Sequence, residues 1–381
     1  MTAVNEDLIM FRDMVLRFLE QEVDPEFASW ESSGLLPKAL WKKLGDAGML
    51  CVDFPEKYGA AGASFDVALM IIEELACKGY SGLSGGYNIH ANIVAPYIQS
   101  IGTAEQCDRW LPGMVSGDIV AAIGMTEPGA GSDLAALATS AIRDGDSYVI
   151  NGSKVFITNG IHADLVIVAA KTDPKAGAKG VSLFLVDTSL PGFSRGKQIE
   201  KLGQHDSDTA ELFFNDLRVP LDALLGEEGK GFAYLMQELP RERLGIAATA
   251  IGAARGALAI TLDYVQQRSA FGQKIGAFQN SRFKLAEVKA DLEVNTAYVE
   301  KCTAAYKKGE MTVDQAAIVK LAATEMQWKV VNECLQLFGG YGYTKEYPIS
   351  RFFIDARVQT IYGGTSEIMK EVIARSLLGR G

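Results

Sequence analysis

Four short stretches of this 381-residue chain carry residue types and spacings that could do chemistry. The first is Met125-Thr126-Glu127-Pro128-Gly129-Ala130-Gly131-Ser132-Asp133. Its glycines let backbone N–H groups converge on an anion, and Ser132 adds a hydroxyl donor. The same run also reads as a plain flexible loop. A Rossmann-type dinucleotide fingerprint is excluded, because the chain beyond it returns to strand instead of opening a long helix. The second is Lys154-Val155-Phe156-Ile157-Thr158-Asn159-Gly160, where period two places Phe156 and Thr158 on one face of a strand. An aromatic beside a hydroxyl suits one side of a planar cofactor, and suits an ordinary half-buried strand as well. The third, Arg268-Ser269-Ala270-Phe271-Gly272 with Gln279 after it, offers a guanidinium for a pyrophosphate or a charged helix terminus before a glycine stop. The fourth, Gln336-Leu337-Phe338-Gly339-Gly340-Tyr341-Gly342-Tyr343, reads as a helix ending in two glycines.

Composition narrows the classes of ligand. A net charge of −10 without a Lys/Arg run argues against nucleic acid. Five cysteines without CxxC spacing read as reduced thiols of a cytosol-like compartment, so the expected location is cytoplasmic, or the mitochondrial matrix for a processed eukaryotic chain. Three scattered histidines leave no metal constellation. The opening segment mixes acids with apolar residues at helical spacing and resembles neither a signal nor a transit peptide. No uninterrupted apolar run is long enough for a bilayer, so no membrane partner is expected.

The elements that must position these residues fall into three groups. Residues 1–118 read as helical. Leu8, Phe11, Val15 and Phe18 share one helix face, further amphipathic segments cover Lys38–Leu50 and Phe65–Ala76, and glycine-rich stretches at 59–64 and 81–86 separate them. The period changes in a small barrel-like β domain over residues 119–225. There Asn151-Gly152 predicts a hairpin turn between Tyr148–Ile150 and Val155–Ile157, and Leu165–Ala170, Val181–Val186 and Ala210–Phe214 predict further strands. Helical spacing returns from Gly231 and continues through a four-helix bundle over 226–381. Leu285, Val288, Leu292, Val299, Cys302 and Tyr306 form a bundle seam, and Thr312 with Gln315 fits a capping box. The stretch 246–260, apolar nearly all round, is placed inside the bundle. The fold class is thus mainly α with a central β domain.

Taken together, MTEPGAGSD, KVFITNG, QQRSAFGQKIGAFQ, QLFGGYGY and IYGGTSEIM resemble the acyl-CoA dehydrogenase family across essentially the whole chain. The resemblance implies FAD-dependent α,β-dehydrogenation of acyl-CoA, with electrons passed to an electron-transferring flavoprotein and a homotetrameric assembly. It implies flavin contacts at Ile123, Met125, Thr126, Gly131 and Ser132, and at Phe156, where many members have tryptophan, and Thr158. Arg268, Phe271, Gln279, Gln336 and Gly340 match contacts to a neighbouring subunit's flavin, and Thr365 and Glu367 match positions near the ADP portion of the subunit's own. Ser132, Leu239, Arg243, Tyr362, Gly363 and Gly364 match substrate positions, with the Gly363 N–H as a donor to the thioester carbonyl.

The chain departs from many members in one place. Where they carry the base after the Tyr of YEGT, it reads Tyr362-Gly363-Gly364-Thr365. It resembles instead the long-chain and isovaleryl-type members, whose ELPxERL pattern matches Glu238-Leu239-Pro240-Arg241-Glu242-Arg243-Leu244. That implies Glu242 as the catalytic base. The alternative is a first-turn acid of a helix that has Pro240 at its first position. Glu238 is the rival carboxylate, expected to face away from the same cavity. An oxygen-using oxidase or monooxygenase on the same fold and a non-catalytic acyl-CoA binder are the competing functions.

Overall fold

The computed structural model describes residues 6–379, so the part of the N-terminal pattern before Glu6 lies outside them. Seven helices come first: α1 (Glu6–Phe18), α2 (Phe27–Ser33), α3 (Ala39–Asp46), α4 (Phe65–Cys77), α5 (Ser81–Tyr87), α6 (Ala95–Ile101) and α7 (Ala104–Ser116). The expected α1 stripe forms, with Val15 buried and Leu8, Phe11 and Phe18 packed against the core. The glycine-rich run 81–86 does not break the chain as expected. It forms α5, in which a side chain on Gly82 would collide with the Asp206 carboxylate and one on Gly86 with Asn159. These glycines serve close approach rather than a turn.

A π-helical segment, Asn88–Val94, joins α5 to α6 and carries His90. The His90 Nδ1 accepts the Ala121 N–H at 3.1 Å and its Nε2 lies 2.9 Å from Met114 O. The ring is therefore neutral with its proton on Nε2. Burial pushes its pKa down to about 4, so it stays a fixed connector between the helices and the β domain.

That domain has strands β1 (Ala121–Gly124), β2 (Ser140–Asp144), β3 (Ser147–Thr158), β4 (Leu165–Lys171), β5 (Val181–Asp187), β6 (Phe193–Gln198), β7 (Thr209–Pro220) and β8 (Leu224–Leu225). They form one eight-stranded sheet in the order β6-β7-β3-β2-β4-β5-β8, with β1 parallel to β4. The path is open, so the barrel-like expectation does not extend to closure. One edge, β6, exposes Arg195 and Lys197, and the other ends in a strand of two residues, both of which disfavour further pairing. In β4, Leu165, Ile167 and Ala169 enter the core shared with the helices, while Val166, Val168 and Ala170 fill the sheet's own core.

The hairpin expected at Asn151-Gly152 is absent. The strand β3 runs straight through, and the turn falls at Gly145 between β2 and β3. Gly152 sits at a register shift against β7, where a side chain would strike Thr139, so the glycine marks a bulge and not a turn.

The bundle comprises α8 (Gly231–Gln267), α9 (Gln279–Lys307), α10 (Val313–Phe338), α11 (Ile349–Ala356) and α12 (Ser366–Leu378). The capping box at Thr312 and Gln315 is present. The 37-residue α8 is long and apolar enough by composition to cross a membrane, but 83% of that window is buried inside the fold. Gly252 and Gly256 let it press onto the α4 backbone at Glu73 and Cys77, which any side chain there would prevent. A small hairpin, β9 (Ser269–Ala270) and β10 (Gln273–Lys274), follows α8.

Candidate active site

The helix α8 begins at Gly231, so Glu242 lies about three turns inside it and Pro240 is interior. The first-turn alternative, and the pull of a helix N-terminus on this carboxylate, therefore do not apply. Glu242 is 4% exposed. Its Oε1 accepts the Tyr97 hydroxyl at 2.8 Å. Burial raises its pKa to about 7, against the Tyr97 hydrogen bond and the charge of Arg243, while Glu238 adds to the rise. A base poised near neutrality ionises readily and still holds a proton well enough to take one.

Glu238 does not face elsewhere. It lies one turn before Glu242 on the same face, and its Oε1 accepts the Ser100 hydroxyl at 2.9 Å. Pro240 does not divert it, because the helix continues through the proline. The helix α6 thus presents Tyr97 and Ser100 to two acids in parallel. Arg243 is 4% exposed and its Nε has no partner among the described residues. Beside it Lys320, fully buried, donates to Gly364 O at 2.8 Å, and its pKa is lowered to about 8 by burial and then by Arg243.

That contact ties α10 to the loop Tyr362-Gly363-Gly364. Gly363 has φ +62°, and a side chain on it would overlap Ile246 Cδ1, one turn after Glu242. The structure therefore brings Glu242, Arg243, Gly363 and Gly364 together. The Tyr362 hydroxyl donates to Gln359 Oε1 at 2.8 Å, while Leu239 is half-buried beside Glu238.

The two sheet motifs are joined by an ion pair that neither motif announced. Lys154 Nζ, fully buried, lies 2.7 Å from Glu127 Oε1 and donates to Met125 O at 3.2 Å. Burial alone would raise the Glu127 carboxyl; Lys154 and the Thr139 and Ala138 amides outweigh it and hold it below its ordinary range. The Val155 N–H adds a bond to Thr126 O at 2.9 Å. This ties Met125 and Thr126 to β3 beside Phe156, with Thr158 two residues further along β3 and Ile123 preceding them on β1. Phe156 is 65% exposed at φ +61°, at a β3 register shift, so its face is presented by a bulge rather than by regular alternation. Ser132 is exposed, and a side chain at Gly129 or Gly131 would meet nothing within 4 Å. An open aromatic face, two hydroxyls and a loop of free space fit a flavin and the start of its phosphate chain.

Thr365 caps α12 by accepting the Ile368 N–H at 3.2 Å, and with Glu367, Arg357 and Trp328 it lines a cleft of about 260 Å³. Arg268, Phe271, Gln279, Gln336 and Gly340 gather elsewhere, where α8 ends, α9 begins and α10 ends. Arg268 lies over the Tyr341 ring at 5.4 Å, and Phe271 is 98% exposed with φ +51°. At about 1.5 Å per residue, Arg268 stands about 39 Å along α8 from Glu242.

Sequence reasoning missed Tyr97, Glu127, Lys154, Ile246 and Lys320. Glu127 and Lys154 carried a signal, opposite charges inside two apolar motifs; Tyr97 carried none.

A buried ionisable carboxylate and an open aromatic face with hydroxyls beside it, in a helix–sheet–bundle fold, suit a flavin-dependent dehydrogenase. Comparison with known proteins gives the family. Residues 5–118, 122–217 and 229–378 match the N-terminal, middle and C-terminal domains of acyl-CoA dehydrogenase. The long-chain specific acyl-CoA dehydrogenase of Mus musculus mitochondria is 46% identical over 97% of this chain and 86% of its own. A solved chain described as the electron transferring flavoprotein of Acidaminococcus fermentans superposes with TM-score 0.96 at 37% identity, covering 100% of both chains. A glutaryl-CoA dehydrogenase from Mycobacterium smegmatis in complex with FADH2 gives 0.93 at 31%, covering 99% and 96%. The chain belongs to the acyl-CoA dehydrogenase family, and it is an FAD-dependent oxidoreductase that dehydrogenates acyl-CoA.

Proposed function

We propose that Glu242 is the base of this reaction, that the substrate is a long-chain acyl-CoA, and that electrons leave to an electron-transferring flavoprotein. The observation that carries the assignment is the buried Glu242 carboxylate, held near neutral pKa on the helix face whose Ile246 blocks any side chain at Gly363. The likeness to the long-chain mouse enzyme supports the chain length, and the likeness to the Acidaminococcus chain supports the acceptor.

The acyl thioester enters with its α-carbon toward Glu242, which removes one α-proton. The flavin, when bound, supplies the acceptor for the hydride from the β-carbon. Ile123, Met125, Thr126, Gly131, Ser132, Phe156 and Thr158 would hold it, and Thr365 and Glu367 would contact its ADP portion. The Gly363 N–H donates to the thioester oxygen, where negative charge develops. The apolar walls exclude water, which keeps the carboxylate basic. The five residues at the far bundle end serve a second copy of the chain in a homotetramer, a reading supported by their separation from Glu242 and by the exposed Phe271. The scattered cysteines support a reducing compartment, the cytoplasm.

The test is anaerobic flavin reduction by a ladder of acyl-CoA lengths that includes isovaleryl-CoA. Glu242→Gln keeps the shape and should slow reduction by roughly two to four orders of magnitude with FAD retained. Reduction at nearly the parent rate would move the base to Glu238. Rapid hydrogen peroxide formation in air would favour the oxidase reading.

A further inference from the structure

Glu242 is buried, and Tyr97 makes the one hydrogen bond to it among the described residues. Tyr97 comes from α6, is itself fully buried, and donates to Oε1; no described residue donates to Oε2. We propose that Tyr97 is the positioning residue of the base: its hydroxyl fixes Glu242 Oε1 and leaves Oε2 to receive the substrate's proton. This rests on Glu242 being the base.

The geometry gives Tyr97 a second effect. A phenol donating to a carboxylate stabilises the charged form, and no other hydrogen bond offsets the desolvation of Glu242. The remaining charges near it are Arg243, which also favours the anion, and Glu238, which opposes it. The acid one turn away takes its own donor, Ser100, so Tyr97 is left to Glu242 alone. Tyr97 stays protonated throughout the working range, because burial and the two nearby carboxylates hold its own pKa well above the ordinary phenol value. It donates whenever Glu242 is ionised.

Catalysis needs the ionised carboxylate. Removing a donor to that form raises its pKa, so the acidic limb of the rate must move to higher pH. Tyr97→Phe keeps the ring and its packing and removes only the hydroxyl. In the holoenzyme at saturating acyl-CoA, the acidic limb of anaerobic flavin reduction should shift up by about one to two pH units. Below the limb the rate falls roughly tenfold to a hundredfold, and at high pH, where the carboxylate is ionised in both proteins, the loss narrows to the smaller share that comes from lost orientation. In a Glu242→Gln background, adding Tyr97→Phe should change the rate less than about twofold, because the pair acts as one unit. A limb that superimposes on the parent's overturns the proposal, as does an equal loss at every pH or full additivity with Glu242→Gln. If Glu242→Gln alone is nearly as fast as the parent, the base assignment itself has failed, and the three variants measured together separate that outcome from failure of the Tyr97 role.

Discussion

Ile246 crowds the space that a side chain on Gly363 would need, with its Cδ1 well inside van der Waals contact of where the Cβ would stand. The helix that carries Glu242 thus also closes the loop position at which many relatives place their base. Moving the carboxylate requires clearing this contact, and a residue other than glycine at φ +62° adds about 1–2 kcal/mol of backbone strain. Glu242→Ala with Gly363→Glu should therefore remain as slow as Glu242→Ala alone. Adding Ile246→Ala should recover roughly tenfold or more of the flavin reduction rate. Equal recovery without the Ile246 change would show that the contact does not control the site.

The raised pKa of Glu242 also has a cost in stability, with a definite sign. Between its ordinary value of 4.5 and about 7, the folded protein holds this proton more tightly than the unfolded chain does. The stabilisation is full below the lower value and lost as pH rises through the upper one, leaving a penalty of about 3 kcal/mol above it. Glu242→Gln should melt at the same temperature as the parent near pH 4.5 and increasingly above it toward pH 8. Asp355, raised by burial and by Asp206 beside it, behaves alike, so Asp355→Asn should also gain at alkaline pH. Melting curves whose separation does not change with pH would contradict both.

The Glu127–Lys154 pair links the MTEPGAGSD loop to β3. Lys154→Met strands a buried carboxylate, and breaking such a pair costs about 3–5 kcal/mol. Lower thermal stability and loss of FAD on gel filtration should appear together. Glu127→Gln added to Lys154→Met removes the stranded charge while keeping an acceptor for the Ala138 and Thr139 amides, and it should restore part of both. A Lys154→Met protein as stable as the parent would deny the pair its role.

Arg268 is exposed and makes no ion pair among the described residues, so its removal should leave the fold intact. Arg268→Ala should nonetheless weaken FAD retention by roughly tenfold to a hundredfold, the share of a charge-assisted phosphate contact. Sedimentation should show a tetramer for the parent. A monomer that keeps its FAD would refute the shared site.

What the chain revealed on its own was local. The α1 stripe, the seam of α9, the Thr312–Gln315 box and the apolar circumference of α8 depend on neighbours a few residues away, and they were legible for that reason. Glu242 could be singled out because its motif is short and the usual base position visibly holds glycine. Only the tertiary structure decided the rest. Asn151-Gly152 looks like a turn until Thr139 is packed against it, and Gly82 looks like a breaker until Asp206 is seen beside it. Tyr97 and Glu242 stand 145 residues apart, so no spacing rule pairs them. The Glu242 pKa could not be signed from sequence, where a supposed helix start pulled it down and burial pushed it up. Desolvation is summed over every group that surrounds a carboxylate in space, and that surrounding exists only once α6, α8 and the loop at Gly363 have packed together.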